Sequence, residues 1–146
     1  MVTRFFCKQM NTVNHRICFS NRKEVVLIDP RKVAYVEADG NYVRVTCSNG
    51  QHFHLNYSVG DFQEILLTNG CDYFIKIGRS LIVNMRFIIR VCPQKGSLLL
   101  SDGEGWNCQL DLPQKTLKRL CGQIADMFAS DNKPSATNGK HAASDD

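Results

Sequence analysis

Val33-Ala34-Tyr35-Val36-Glu37-Ala38-Asp39-Gly40-Asn41-Tyr42-Val43-Arg44-Val45 decides how the rest of this chain is read. Two runs rich in β-branched and aromatic residues flank Asp39-Gly40-Asn41. Such runs favour extended backbone, while Gly and Asn accept the positive φ of a tight reversal. The stretch therefore predicts a hairpin with a polar, glycine-containing tip. Phe74-Ile75-Lys76-Ile77-Gly78-Arg79-Ser80-Leu81-Ile82-Val83-Asn84-Met85 has the same form, a strand pair around the short polar tip Gly78-Arg79-Ser80.

Outward from these two passages, short β-type runs recur at 17–19, 24–28, 51–57, 87–92, 98–101 and 107–111, beside those at 33–38, 42–47 and 73–77. Breakers fall between them: Asp29-Pro30, Ser48-Asn49-Gly50, Pro93-Gln94-Lys95-Gly96 and Asp102-Gly103-Glu104-Gly105. Two segments leave the two-residue period. Ser58 is placed to cap a helix whose Val59, Phe62, Ile65 and Leu66 share one side, and Pro113 opens a helix along which Leu117, Leu120, Ile124 and Phe128 repeat at three- and four-residue steps.

The 146 residues suffice for one domain with a sizeable core. That domain is expected over 17–128, between a flexible arm at 1–16, which lacks a period, and a disordered tail at 129–146, which loses apolar content after Phe128. The expected fold class is mostly β, with one short helix mid-chain and a C-terminal helix. A formal net charge of +4 and a pI near 8.7 lean toward polyanionic partners. The seven cysteines show no zinc or redox spacing and read as reduced, packed thiols of a cytoplasmic protein. Apolar runs reach only four residues, as at Val25–Ile28, against the roughly 20 of a membrane span, and the N-terminus has no signal-peptide core. No membrane association, metal or cofactor is expected.

The two hairpin passages, separated by about forty residues with a helix between, and a late strand followed by a helix together resemble the LytTR family of bacterial DNA-binding domains. The likeness extends from about Ile17 to about Leu120. It implies a compact fold of small, mostly antiparallel sheets and a non-enzymatic transcription regulator that reads double-stranded DNA with loops rather than a helix-turn-helix, three connections on one edge reaching successive grooves. Carried onto this chain, these are Asp39, Asn41, Tyr42 and Arg44; Gly78, Arg79 and Ser80; and Gln114 with Lys115. Two departures stand out. Gly78 occupies a position where the family often has a larger polar residue such as histidine. Leu112-Pro113-Gln114-Lys115 stands where it often has Ser-Arg, leaving Gln114 or Lys115 to supply the third contact. Many members carry a phospho-receiver ahead of this unit. The 16 residues before Ile17 are expected not to hold one, so a signal would come from a separate protein, from abundance or from self-association. Family members commonly bind direct repeats, which would bring two copies together on DNA.

The side-chain chemistry suits this task. Arg79 can fork onto guanine O6 and N7, and Asn41 onto adenine N6 and N7. Ser80, Tyr42 and N–H groups near Gly78 suit phosphate oxygens, and Lys115, Lys118 and Arg119 can displace counterions along a duplex. Plainer accounts exist for several of them. Asn41 also serves as a turn former, Arg79 as a solvated surface cation, and Lys118 with Arg119 as a polar helix face. Asn84 reads as structural, an amide that satisfies backbone groups at a strand end. His52 and His54 share a strand face but lack a third ligand at a familiar spacing. The rival reading is a protein-interaction module on the same scaffold, for which apolar and aromatic anchors would be expected at the edge in place of Asn41, Arg79 and Lys115.

Overall fold

The computed structural model describes residues 15–129. Nearly all of the expected arm, and the expected tail beyond residue 129, lie outside them. In chain order the strands are β1 (Ile17–Ser20), β2 (Val25–Ile28), β3 (Val33–Asp39), β4 (Tyr42–Cys47) and β5 (His52–Leu55), then helix α1 (Val59–Thr68). There follow β6 (Phe74–Ile77), β7 (Leu81–Asn84), β8 (Ile88–Cys92), β9 (Ser97–Ser101), β10 (Asn107–Asp111) and helix α2 (Gln114–Ala129). Every strand pairing is antiparallel: a β1-β2 hairpin, a central sheet ordered β5-β4-β3-β7-β6 and a β10-β9-β8 sheet.

Both faces of the central sheet are covered, and this explains its sequence. On one face, Val36, Val43, Val45, Leu55 and Ile82 pack with Ile17, Phe19 and Ile28 of the hairpin and with Val59, Phe62 and Leu66 of α1. On the other, Tyr35, Ile75, Ile77, Leu81 and Val83 meet Leu98 and Leu100 of β9 and Leu117 and Leu120 of α2. A strand buried on both sides has no polar face to show, so 33–36 and Leu81–Asn84 are buried throughout instead of alternating. The open part of the second face lies over β4 and β5. It carries the polar row of Arg44, His52 and His54, all partly or well exposed.

Local chemistry sets the boundaries. The Ser58 hydroxyl accepts from the Asp61 N–H at 3.0 Å and starts α1. Pro113 stands before α2, its carbonyl accepting from the Leu117 N–H at 3.0 Å. At Asn49-Gly50 the reversal closes through the Gly50 N–H to the Cys47 carbonyl at 2.9 Å, with Gly50 at φ 91°. Phe128 departs from expectation: it continues the helical repeat yet is 51% exposed. The second core takes up Leu117, Leu120 and Ile124, and the last turn of α2 carries Met127 and Phe128 into solvent. The six described cysteines are free thiols, Cys47 and Cys71 among them buried.

Candidate nucleic-acid interface

Strand direction decides which hairpin tips share an edge. Because β3 and β7 run antiparallel with Glu37 opposite Leu81, the end of β3 that leads into β4 lies beside the start of β7. The Ala38 N–H donates to the Ser80 carbonyl at 2.9 Å and extends this pairing into the connections themselves. The β3–β4 tip and the β6–β7 tip are thus fastened to one another at one edge of the central sheet.

Both tips are built from turn chemistry and leave their side chains outward. Gly40 and Gly78 take φ of 66° and 69°, a region that costs other residues about 1–2 kcal/mol. Asn41, Tyr42, Arg79 and Ser80 are all exposed, Tyr42 by 49%. Asp39 is exposed too, with Oδ2 3.1 Å from His54 Nε2, so the base of the first tip is bridged to β5. That bridge is an ion pair when His54 is protonated. Arg44 is placed differently: opposite Glu37 and His54 in the sheet register, it reaches Glu37 Oε2 at 3.4 Å and His52 Nε2 at 3.5 Å. It belongs to the polar sheet face, a step inward from the tip.

Helix α2 joins the edge through its middle. Thr116, Arg119 and Gln123 line a hollow of about 330 Å³ together with Lys76, Gly78 and Arg79. On a helix, steps of three, four and seven fall on one side, so these residues form one face next to the stripe of Leu117 and Leu120. Lys115 adjoins that face one turn earlier. Gln114 and Lys118 are exposed and project from the far side of the helix, away from the hollow. The structure thus brings Asp39, Asn41 and Tyr42 together with Gly78, Arg79 and Ser80, and Arg119 with Arg79; Gln114 and Lys118 stand apart.

Some edge residues were missed by sequence reasoning. The β1–β2 turn lies against the first tip: Asn21, Arg22 and Lys23 share a surface depression with Tyr42, His54 and Asn56. Asn21 Oδ1 accepts from the Lys23 and Glu24 N–H groups at 2.7 and 3.0 Å, which fixes the turn and turns both cations outward. Asn21 two and three residues before those groups was the available local signal. Lys76, in the middle of an apolar strand, gave none. Asn84 is wholly buried: its Nδ2 donates to the Val33 carbonyl and its Oδ1 accepts from the Arg86 N–H, each at 2.9 Å. It ties β7 to β3 away from the edge.

Turn tips fastened along one edge of a strand-built body, with a basic helix beside them, define a loop-presenting β-domain shaped for a polyanionic partner. The LytTr DNA-binding domain family matches residues 23–122, and the chain belongs to that family. Its carriage of a DNA-binding domain follows from that membership. Among solved structures it is similar to the LytTr DNA-binding domain of a protein described as a methyl-accepting/DNA response regulator from Bacillus cereus. That likeness has a TM-score of 0.53 at 23% identity and covers 75% of this chain and 95% of the other. No curated protein matches the chain. No helix among the described residues is long and apolar enough to cross a membrane.

Proposed function

We propose that the chain binds double-stranded DNA sequence-specifically and regulates transcription in the cytoplasm by pressing its tip edge into successive grooves. The observation that carries this reading is the Ala38–Ser80 hydrogen bond, which holds two exposed polar tips side by side. Their midpoints lie about two strand spacings apart, on the order of 10 Å. Adjacent grooves of a duplex share one phosphate strand, and a separation of this size lets the two tips straddle it. Asn41 then reaches adenine N6 and N7 and Arg79 guanine O6 and N7, while Asp39 can accept from cytosine N4. Tyr42, Ser80 and the N–H groups at Gly78 meet phosphate oxygens and set register. Lys115 beside Arg119 neutralises backbone charge, and Lys118 and Gln114, farther round the helix, contribute less. Arg44 supports the first tip through its partners on the sheet.

No enzymatic step belongs to this reading. Two copies on direct repeats, and a separate signalling protein that sets their activity, complete the proposed arrangement. The rival, a protein-interaction module, has Val25 and Leu27 in its favour, 62% and 46% exposed on the outer side of β2. They belong to the hairpin whose turn lies against the first tip, while the tips themselves carry Tyr42 as their sole large exposed apolar side chain among the described residues.

Titration with a random duplex at two salt concentrations separates the readings: DNA binding predicts steep weakening with salt, and absence of binding at low salt supports the rival. On a duplex selected from genomic fragments, Arg79→Ala is expected to lose about 1–3 kcal/mol, roughly 5- to 150-fold in affinity, and to keep its weak binding to random duplex. Undiminished affinity for the selected duplex in a folded Arg79→Ala protein would remove Arg79 from base readout.

A further inference from the structure

Asp39 is the only carboxylate in the two tips, and an anion at an edge that meets a polyanion works against binding unless something offsets it. The structure ties it to a histidine, with Asp39 Oδ2 lying 3.1 Å from His54 Nε2. His54 stands opposite Arg44, which stands opposite Glu37, and Asp39 follows Glu37 by two residues. All four therefore share one face of the sheet, and the contact runs diagonally over the start of β4. Among the described residues Asp39 Oδ1 accepts from no group, so one oxygen of the carboxylate is fastened and the other is left for a base. The groups around His54 are mixed. Asp39 and Glu37 come from β3, Tyr42 and Arg44 from β4 and His52 from β5, while Arg22, Lys23 and Glu24 of the β1–β2 turn line the same depression. Glu37 is bonded to Arg44 at 3.4 Å and Arg44 in turn meets His52, which leaves Asp39 as the carboxylate in contact with His54. Both members of the pair are more than half exposed, and water screens such a pair in the free protein. At a duplex surface water is displaced, and the same pair interacts more strongly.

We infer that His54 is a positioning residue for the first tip: it aims the Asp39 carboxylate at the base it reads, and its protonation links DNA binding to pH. The inference rests on the DNA-binding reading and deepens it with an input signal. Histidine is the side chain whose charge changes between about pH 5 and 8. As an imidazolium His54 both holds Asp39 and offsets the repulsion between that carboxylate and DNA phosphates. The sign follows from charge. Nearby phosphate favours the imidazolium, so the complex takes up protons and affinity rises as pH falls.

The test measures the affinity of the full-length protein for a random and a selected duplex from pH 8 to pH 6 at fixed ionic strength. Both wild-type affinities are expected to rise by about 3- to 10-fold over that range, as for uptake of part of one proton per complex. His54→Gln keeps an amide N–H able to reach Asp39 but cannot take up a proton. It is expected to hold the wild-type preference for the selected duplex at pH 8 and to change by less than about 2-fold down to pH 6. His54→Ala lacks both properties and is expected to lose about 3- to 10-fold of that preference, because Asp39 is no longer aimed. His52→Gln, the control, should retain the wild-type profile. The melting temperatures of the His54 variants should match the wild type, since an exposed pair contributes little to stability. A flat profile in a wild type that binds, or a pH response that folded His54→Gln keeps, would overturn the proton link and leave DNA binding standing. Undiminished preference in folded His54→Ala would overturn the positioning role. A wild type that binds neither duplex at any pH instead removes the underlying reading. The ring Cε1–H resonance of His54 gives a check that needs no variant. It should report the imidazolium to higher pH in the complex than in the free protein, and coincident titrations would overturn the proposal.

Discussion

Asn84 has no exposed surface, and both ends of its amide are engaged, one by the Val33 carbonyl and the other by the Arg86 N–H. Truncation to alanine leaves two backbone groups without partners at a buried strand end. Such a loss costs about 1–3 kcal/mol for each group deprived of solvent, so Asn84→Ala is expected to lower stability by about 2–4 kcal/mol. Chemical denaturation checks this: the midpoint should fall at constant slope, and a change within about 0.5 kcal/mol would show that water replaces the amide. Cys47 is a second residue whose burial has a measurable consequence. Desolvation pushes its thiol up to about 11 from an ordinary 9.0. Between those values the unfolded chain releases a proton that the folded chain keeps, so this contribution is fully present below pH 9 and is lost as pH rises toward 11. Burial also raises the half-buried Tyr73 hydroxyl, so it too adds to the loss of stability at alkaline pH. The readout is therefore the difference between wild type and Cys47→Val, whose stability should fall less steeply over that window. Parallel pH profiles would contradict the assignment.

Among the elements, α2 shows most clearly how far a pattern can be trusted. The three- and four-residue repeat along Leu117, Leu120, Ile124 and Phe128 was visible in the sequence, and it identified the helix and its buried side. Where the helix outruns the sheet beneath it was not visible, because periodicity is a property of the segment and coverage a property of its neighbours. Leu120→Ala should therefore cost about 2–5 kcal/mol, as expected for a buried leucine, while Phe128→Ala should stay within about 0.5 kcal/mol. Equal losses at the two positions by urea unfolding would show the last turn to be docked. The tips were legible for a comparable reason. Gly40, Asn41 and Gly78 carry turn chemistry in their own side chains, whereas Lys76 and Arg22 became edge residues only when strand pairing put them there. Asp29-Pro30 and Pro93-Gln94-Lys95-Gly96 were legible as breakers, but the helical form of the turns at Pro30–Lys32, Met85–Phe87 and Pro93–Lys95 was not, because three residues are too few to show a period.

At the scale of the whole molecule, one central sheet carries two cores, and everything that faces the proposed DNA lies along one of its edges. The fold class and the hairpins were read correctly from residues; the two-sided burial of β3 and β7 could be recognised only from the covering layers, since a continuous apolar run suits a buried strand or a buried helix segment equally. The antiparallel register of Glu37 with Leu81 does more than stabilise the sheet. It makes two loops that are separated by some forty residues of chain into a single surface, to which α2 contributes Arg119. Mapping amide chemical shifts of the full-length protein on addition of a selected duplex tests that surface most directly. The largest changes should fall at Asp39–Tyr42, Gly78–Ser80 and along the Lys115, Arg119 and Gln123 side of α2, with α1 and the outer side of β2 undisturbed. Changes centred on α1 or on Val25 and Leu27, with the two tips silent, would contradict the account.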